Sequence, residues 1–164
     1  MDRQQIAVKL AVEGLNLSFK IGSFEDRLIL QKVVYLAQAA GVNLGYYHQW
    51  YLHGPYCPSL TRDAYAIDEE CRKGLDDSKN WKLDDSSSNR LQSLRKIIPQ
   101  KEQNRRRGVE LLASVHFLID RKQVTGRDAS PIEEILKRYK KDFSREEIEE
   151  ALKQLVQNGL LPNQ

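Results

Sequence analysis

Four side chains that carry soft metal-ligand atoms lie close together in the sequence. They are His48, His53, Cys57 and Cys71. A structural zinc site needs four such ligands at one point, but a regular strand would place the two histidines on opposite faces. The spacing of the two cysteines also matches no zinc motif. We therefore expect no metal and no cofactor in this region.

Cys57 is also a potential nucleophile, since a neighbouring histidine could act as its base. A lone cysteine close to prolines is more often a small buried apolar residue. The sequence contains no phosphate-binding glycine loop, no nucleophile elbow and no dinucleotide-binding fingerprint. Its carboxylates lie on polar helix faces, where solvation explains them. The interpretation is a chain without catalytic residues, and therefore not an enzyme.

Length and composition are those of a globular protein. The 164 residues are 40% hydrophobic and 30% charged, with a formal net charge of +3, and they fit one domain spanning residues 1–164. No apolar run approaches the ~20 residues needed to cross a bilayer, and the N-terminal sequence lacks the features of a signal peptide. We expect a cytoplasmic protein that keeps its cysteines reduced and does not bind membranes.

Hydrophobic periodicity and capping residues predict a mainly α fold, a single compact helical domain. Ser23 and Ser144 each have the spacing to an acidic residue that is typical of a capping box, and Ser130-Pro131 is typical of a helix start. The second helix is apolar around most of its circumference, so we expect it at the centre. Helices are expected at about residues 3–17, 24–40, 60–73, 88–98 and 101–121, and two more close the chain.

Residues 46–53 are rich in aromatic side chains and predict a strand, the main part of a small antiparallel β element. A second short strand is expected at residues 81–83. Gly54-Pro55 is expected to end the first strand. The period of two divides that strand between two faces, with His48, Trp50 and Leu52 on one and Tyr47, Tyr51 and His53 on the other.

Aromatic side chains with a polar tip favour sites where one end of the side chain is buried and the other is exposed to water, as in protein interfaces. This segment contains more of them than a helical core requires. One interpretation is that they contact a partner protein, and the alternative is that they cover the strand against the central helix. The sequence alone leaves both open. The candidates for partner contact are Tyr47, Trp50, Tyr51 and Tyr56.

Two features raise the alternative of a transcriptional regulator that binds nucleic acid. The last two helices have helix-turn-helix proportions. However, the second of them carries several glutamates on its exposed positions, and carboxylates repel phosphates. The most basic segment of the chain could contact an anion or nucleic acid, or it could be a solvated helix face. Its central residues are Arg105, Arg106 and Arg107.

Two segments form a distinctive pair, LQKVVYLAQ at residues 30–38 and YLHGPYCPSL at residues 51–60. They resemble the Panacea domain, the SocA-like antitoxin domain family to which the YwgA-like bacterial proteins are related. The resemblance is specific over residues 27–65 and looser towards the C-terminus. His53 and Cys57-Pro58-Ser59 depart from the usual tyrosine and Ser/Val-Pro-Glu of the family. The matching positions are Leu30, Gln31, Lys32 and Tyr35 in the helix, and Gly54, Pro55, Pro58 and Leu60 in the turn.

The resemblance implies a mostly helical fold with a small strand element. It also implies a non-enzymatic function, the neutralisation of a partner by direct binding in a toxin–antitoxin system or in phage defence. We therefore expect an antitoxin-like, protein-binding module. Gln31 and Lys32 lie within an apolar helix, where a buried amide or ammonium needs hydrogen-bond partners. Backbone groups of the Gly54-Pro55 turn are the candidates, and such bonds would tie helix to turn.

Overall fold

The computed structural model describes residues 1–163. Those residues form seven α-helices, a 3-10 helix at Asp77–Asn80 and one two-stranded antiparallel sheet, so the fold is mainly α with a small β element, as the sequence predicts. Within residues 1–163, every helix is too short or too polar to traverse a lipid bilayer. The helices are α1 (Arg3–Gly14), α2 (Phe24–Ala39), α3 (Pro58–Arg72), α4 (Asp85–Arg95), α5 (Glu102–Asp120), α6 (Ala129–Arg138) and α7 (Arg145–Gln157), and the strands are β1 (Gln49–Tyr51) and β2 (Gly54–Tyr56).

Side-chain caps set where α2 and α7 begin. Ser23 and Ser144 accept hydrogen bonds from the backbone N–H groups of Asp26 and Glu147, at 3.0 and 3.1 Å. Each acidic side chain in turn accepts the N–H of its serine. Both predicted capping boxes are therefore confirmed. They satisfy N–H groups that a helix start otherwise leaves without partners.

The start of α6 differs from the prediction. Asp128, not Ser130, is the N-cap, because its carboxylate accepts the backbone N–H of Ser130 at 3.0 Å. Pro131 therefore lies at the third position of the helix instead of the first. It is tolerated there because the N–H groups of the first turn have no partner within the helix.

The strand predicted at residues 81–83 is not formed. The 3-10 helix occupies this connection instead, because the Asp76 side chain accepts the Ser78 N–H at 3.1 Å and caps it. Asp84 likewise caps α4 by accepting the Ser87 N–H at 2.8 Å, so this helix begins earlier than predicted. Local hydrogen bonds from aspartate side chains to the backbone explain both differences.

The β element is a hairpin rather than one long strand. Gly54 and Pro55 begin its second strand instead of ending the first. Gly54 has a φ of +89°, and a Cβ atom there would lie 2.6 Å from Oγ of Ser114 on α5. Only glycine combines this conformation with so close an approach. The paired residues are Gln49 with Tyr56, Trp50 with Pro55 and Tyr51 with Gly54.

α2 and α5 pack against each other at the centre of the core. α2 is buried on nearly every side, at residues such as Val33, Leu36 and Ala37, which confirms its predicted central position. The buried part of α5 runs from Val109 to Leu118. α1 packs on α2, α7 on α5 and α6 on α7, while β2 contacts both central helices. The hairpin is therefore attached directly to the two most buried helices.

Candidate functional site

The side chain of Gln31 joins α2 to the residues that follow the hairpin. It is buried, and its amide binds the backbone of Cys57 twice: Nε2 donates to the carbonyl O and Oε1 accepts the N–H, both at 2.9 Å. Nε2 also donates to Oγ1 of Thr61 at 2.9 Å. A buried amide with these partners carries little desolvation cost. The predicted backbone partners are therefore present, although they lie just beyond the Gly54-Pro55 turn.

Lys32 makes the second tie between α2 and the hairpin. Its Nζ donates to the backbone O of Pro55 at 2.7 Å, and the residue is 2% exposed. This confirms the predicted bond from helix to turn. Burial disfavours the ammonium and lowers the pKa of Lys32 to about 7, with Lys141 acting in the same direction and Glu110 opposing. A large fraction of this amine is therefore neutral near pH 7.

Tyr35 joins α2 to α5. Its hydroxyl lies 2.7 Å from Nδ1 of His116, and Nε2 of that histidine lies 3.1 Å from the backbone O of Leu160. A carbonyl only accepts, so Nε2 carries the proton and the Tyr35 hydroxyl donates to Nδ1. Burial raises the pKa of Tyr35 and lowers the pKa of His116, so both side chains stay neutral at pH 7.

The remaining motif residues shape the backbone or fill the core. Leu30 and Leu60 are buried. Pro58 is the first residue of α3, where its missing N–H is not needed. Gly54 and Pro55 form the start of β2. Together, the motif residues hold the hairpin on α2 and α5.

A cavity of about 250 Å³, which we call the hollow, opens between the first turns of α2 and the hairpin. Two basic side chains line it, the buried amine of Lys32 and the guanidinium of Arg27. The described residues that line the hollow include no carboxylate. Its apolar walls come from Phe24, Leu28, Tyr51 and Tyr56.

Three apolar side chains beside the hollow are exposed to solvent, and we call them the rim. Phe24 is 53% exposed, Tyr51 60% and Leu52 65%. The Phe24 ring meets His53 edge-on with 5.3 Å between centroids, and the Tyr51 ring lies 5.5 Å from that of Tyr56. These ring contacts restrict the side chains of Phe24 and Tyr51, which lowers the side-chain entropy that these two residues could lose in a further contact.

The opposite side of the hairpin faces α5 and the end of α6, and Trp50, Phe117 and Tyr139 line a second cavity of about 640 Å³ there. The Trp50 ring contacts Phe117 of α5 and Tyr139 at the end of α6, with centroid distances of 5.6 and 5.2 Å. Tyr47 is exposed, but its hydroxyl accepts a hydrogen bond from Arg121 at 3.1 Å. The four aromatic candidates for partner contact therefore fall into two pairs. Tyr51 and Tyr56 line the hollow, whereas Trp50 and Tyr47 contact the C-terminal part of the chain.

The three arginines near the start of α5 make different contacts within the chain. Arg107 pairs with Glu147 through two hydrogen bonds of 2.9 and 2.8 Å. Arg105 donates to two backbone oxygens in the turn before α5. The guanidinium of Arg106 lies 5.8 Å from the centroid of the Phe24 ring. Two of the three are thus occupied by partners in the same chain, and Arg106 lies beside the rim.

The C-terminal helix pair is joined to the core and carries the predicted acidic face. α6 packs on α7, and α7 packs on α5. Glu146, Glu149 and Glu150 are exposed along α7. A row of carboxylates on the outer helix is unfavourable for contact with phosphates.

The four soft-ligand side chains do not converge. Within residues 1–163, no group of three or more His, Cys, Asp or Glu side chains is placed to hold a metal ion. Both ring nitrogens of buried His48 lack a well-formed hydrogen bond to any described residue, although backbone groups of Gln31 and Tyr46 lie near. Burial lowers the pKa of His48 to about 4, so the ring is neutral at pH 7.

The sequence alone makes no prediction for several residues in and around the site. Phe24 follows the helix cap Ser23 directly, and an exposed aromatic residue in a first turn is a signal that could have found it. Glu110 interrupts the apolar half of α5 and pairs with buried Lys141. A charge within an apolar run indicates a buried ion pair. Ser114 gives no such signal, because its closeness to the hairpin depends on how the helices pack.

The fold and the hollow define the class of protein broadly, as a mainly α chain that braces a hairpin on its two central helices. No family model, curated protein sequence or solved structure matches the chain. The functional conclusion therefore depends on the residues of the hollow and the rim.

Proposed function

We propose that the protein is a non-enzymatic, antitoxin-like module that binds a partner protein in a toxin–antitoxin system or in phage defence. The observation that carries the proposal is the exposed apolar rim beside a preformed hollow. Grouped large apolar side chains on a protein surface often mark a site that a partner covers. Aromatic residues in such a group commonly supply most of the binding energy.

The rigid attachment of the hairpin supports this function. Gln31 and Lys32 bind the backbone of the hairpin region from α2. Gly54 lies so close to Ser114 of α5 that no Cβ atom fits between them. A contact surface that is already ordered avoids the entropy cost of ordering on binding.

The charges around the hollow indicate which partner segment fits. Arg27 and Lys32 line the hollow, Arg106 lies beside Phe24, and the described lining residues include no carboxylate. Apolar walls with cationic edges are complementary to a segment that carries an apolar side chain next to an acidic one. We therefore assign this chemistry to the segment of the partner protein that enters the hollow.

Co-purification with the product of the neighbouring open reading frame tests the proposal. Tyr51→Ala and Phe24→Ala should each reduce recovery of the partner about tenfold or more, because truncating an interface hot spot costs about 2 kcal/mol. The melting temperature of each variant should stay close to that of the unaltered protein. Circular dichroism during heating measures this.

Trp81→Ala is the matched control. Trp81 is 59% exposed, similar to Tyr51, but it belongs neither to the rim nor to the hollow. Its substitution should leave partner recovery unchanged. If Tyr51→Ala and Phe24→Ala both leave recovery of the partner undiminished, the rim is not the contact surface. Absence of any specific partner in the native host would contradict the proposed function itself.

A further inference from the structure

Three lysines are buried among the described residues, and one of them differs from the other two. Lys9 and Lys141 each form salt bridges with carboxylates. Lys32, the most buried of the three, forms no salt bridge with a described residue, and its hydrogen bond goes to the neutral backbone O of Pro55. A buried ammonium needs more compensation than one neutral acceptor provides.

The carboxylate that acts electrostatically on Lys32 is already bound elsewhere. Glu110 pairs with Lys141 and also lies 4.0 Å from Nδ1 of His53. A protonated Lys32 would therefore leave this cluster with one uncompensated positive charge. Lys32 is among the residues that line the hollow, whose walls are largely apolar and whose described lining residues include no carboxylate.

We propose that the hollow binds a carboxylate attached to an apolar body, with the carboxylate accepting a hydrogen bond from Nζ of Lys32 and the apolar body contacting Phe24, Leu28 and Tyr51. The inference rests on the proposed function for the source of this group. In the complex, the carboxylate is an acidic side chain of the partner protein that lies next to an apolar one.

Proton uptake distinguishes this binding mode from simple burial of an apolar group. The pKa of Lys32 in the free protein is about 7, so the amine is mostly neutral at a pH of about 8. A carboxylate in contact favours the ammonium form. Each bound ligand therefore brings in up to about one proton at that pH. An uncharged ligand of the same shape brings in none.

3-Phenylpropionate is a probe with this chemistry, and 3-phenylpropanamide is its uncharged match. We expect the acid to bind about tenfold or more tightly than the amide, the effect of one charge-assisted hydrogen bond. NMR should show the largest shifts for Leu28, Gly54 and Tyr56, which line the hollow. Calorimetry in phosphate and in Tris, which differ in ionisation enthalpy, should detect proton uptake with the acid only.

Two lysine variants separate the amine from the rest of the fold. Lys32→Met keeps an unbranched apolar chain but removes the amine, so the acid and the amide should bind equally and without proton uptake. Lys9→Met removes a buried lysine that lies outside the hollow and should preserve the preference for the acid. If Lys32→Met does not fold, the comparison of acid and amide in the unaltered protein still decides the matter.

Equal affinities of the unaltered protein for the acid and the amide would overturn the proposal, as would NMR shifts confined to residues outside the hollow. The outcome is separate from that of the partner experiment. If the protein prefers 3-phenylpropionate to the amide but no protein partner is found, the carboxylate site is supported and the proposed docking of a partner is contradicted. If Tyr51→Ala abolishes recovery of a partner but the unaltered protein does not prefer the acid, docking is supported and the carboxylate site is contradicted.

Discussion

The two sides of the hairpin carry the same kinds of residue but have different surroundings. On one side, the partly buried ring of Trp50 contacts Phe117 and Tyr139 beside the larger cavity, so it joins the hairpin to α5 and the end of α6. On the other side, Tyr51 and Phe24 stand beside a hollow and remain exposed. The difference shows that an aromatic cluster in a sequence can combine residues that join elements of the fold with residues that stay exposed to solvent. What lies beneath each face decides which role a residue has.

Among the variants that test this comparison, Trp50→Ala is expected to have the largest effect on stability. Truncating the partly buried indole removes its packing against two rings, and we expect a loss of about 3 kcal/mol in the free energy of unfolding. Tyr51→Ala should cost less than about 1 kcal/mol, because the exposed side chain has less packing to lose. Urea denaturation followed by circular dichroism measures both. Equal losses for the two variants would show that both sides of the hairpin are structural.

Gly54→Ala tests how the hairpin is held against α5. The substitution places a Cβ atom 2.6 Å from Oγ of Ser114 at a φ of +89°, so we expect a loss of about 2 kcal/mol in the free energy of unfolding. Gly74→Ala is the matched control, since Gly74 has a φ of +74° but a Cβ atom added there would have no neighbour within 4 Å. It should cost about 1 kcal/mol.

A second variant separates the two causes at Gly54. Adding Ser114→Ala to Gly54→Ala removes the hydroxyl that clashes and should recover the steric part of the loss, leaving only the cost of the backbone conformation. A double variant as unstable as Gly54→Ala alone would show that the close approach to α5 contributes nothing to the position of the hairpin. Chemical denaturation of the three proteins under the same conditions gives this result.

The buried amine of Lys32 should make the stability of the protein depend on pH. Its pKa falls from an ordinary value of 10.5 to about 7 on folding, so between these values the unfolded chain binds more protons than the folded one. Stability should therefore rise with pH across this window, by about 2 kcal/mol between pH values of about 7 and 9. Below a pH of about 7, the full cost of burying the charge is present.

The difference between the unaltered protein and Lys32→Met isolates this contribution. Lys32→Met should have a flatter stability profile between pH values of about 7 and 9, because methionine does not titrate. Lys9→Met should keep the rise, since the pKa of Lys9 is raised and its titration lies above this window. Profiles of equal slope for the unaltered protein and Lys32→Met would show that Lys32 remains protonated in the folded chain.

Much of the fold follows from local signals that the sequence contains. The capping boxes at Ser23 and Ser144 and the apolar circumference of α2 predict the helices and the central position of α2, because these effects act within one or two turns. The bonds from Gln31 and Lys32 to the backbone near the turn are predictable for another reason. A buried polar side chain must find a partner, and the nearby turn offers unpaired backbone groups.

Local signals of this kind do not predict the hollow, nor which aromatic residues of the hairpin lie on each of its two sides. The sequence predicts one strand in place of the hairpin because a Gly-Pro pair usually ends a strand, whereas a positive φ at Gly54 and contact with α5 let it begin one. Whether Trp50 or Tyr51 is covered depends on the position of α6, far along the chain. Contacts over such a separation leave no periodic trace in the sequence near either residue.

Tyr47→Ala is the smallest expected effect and the sharpest test of where the contact surface ends. Tyr47 is exposed and contacts Arg121, so its loss should change the free energy of unfolding by no more than about 0.5 kcal/mol. It lies away from the hollow, so recovery of the partner protein should be unchanged. If Tyr47→Ala reduced recovery as strongly as Tyr51→Ala, the partner would have to cover both sides of the hairpin. The rim would then be only part of the contact surface, and the contrast between the two sides would apply to packing but not to binding.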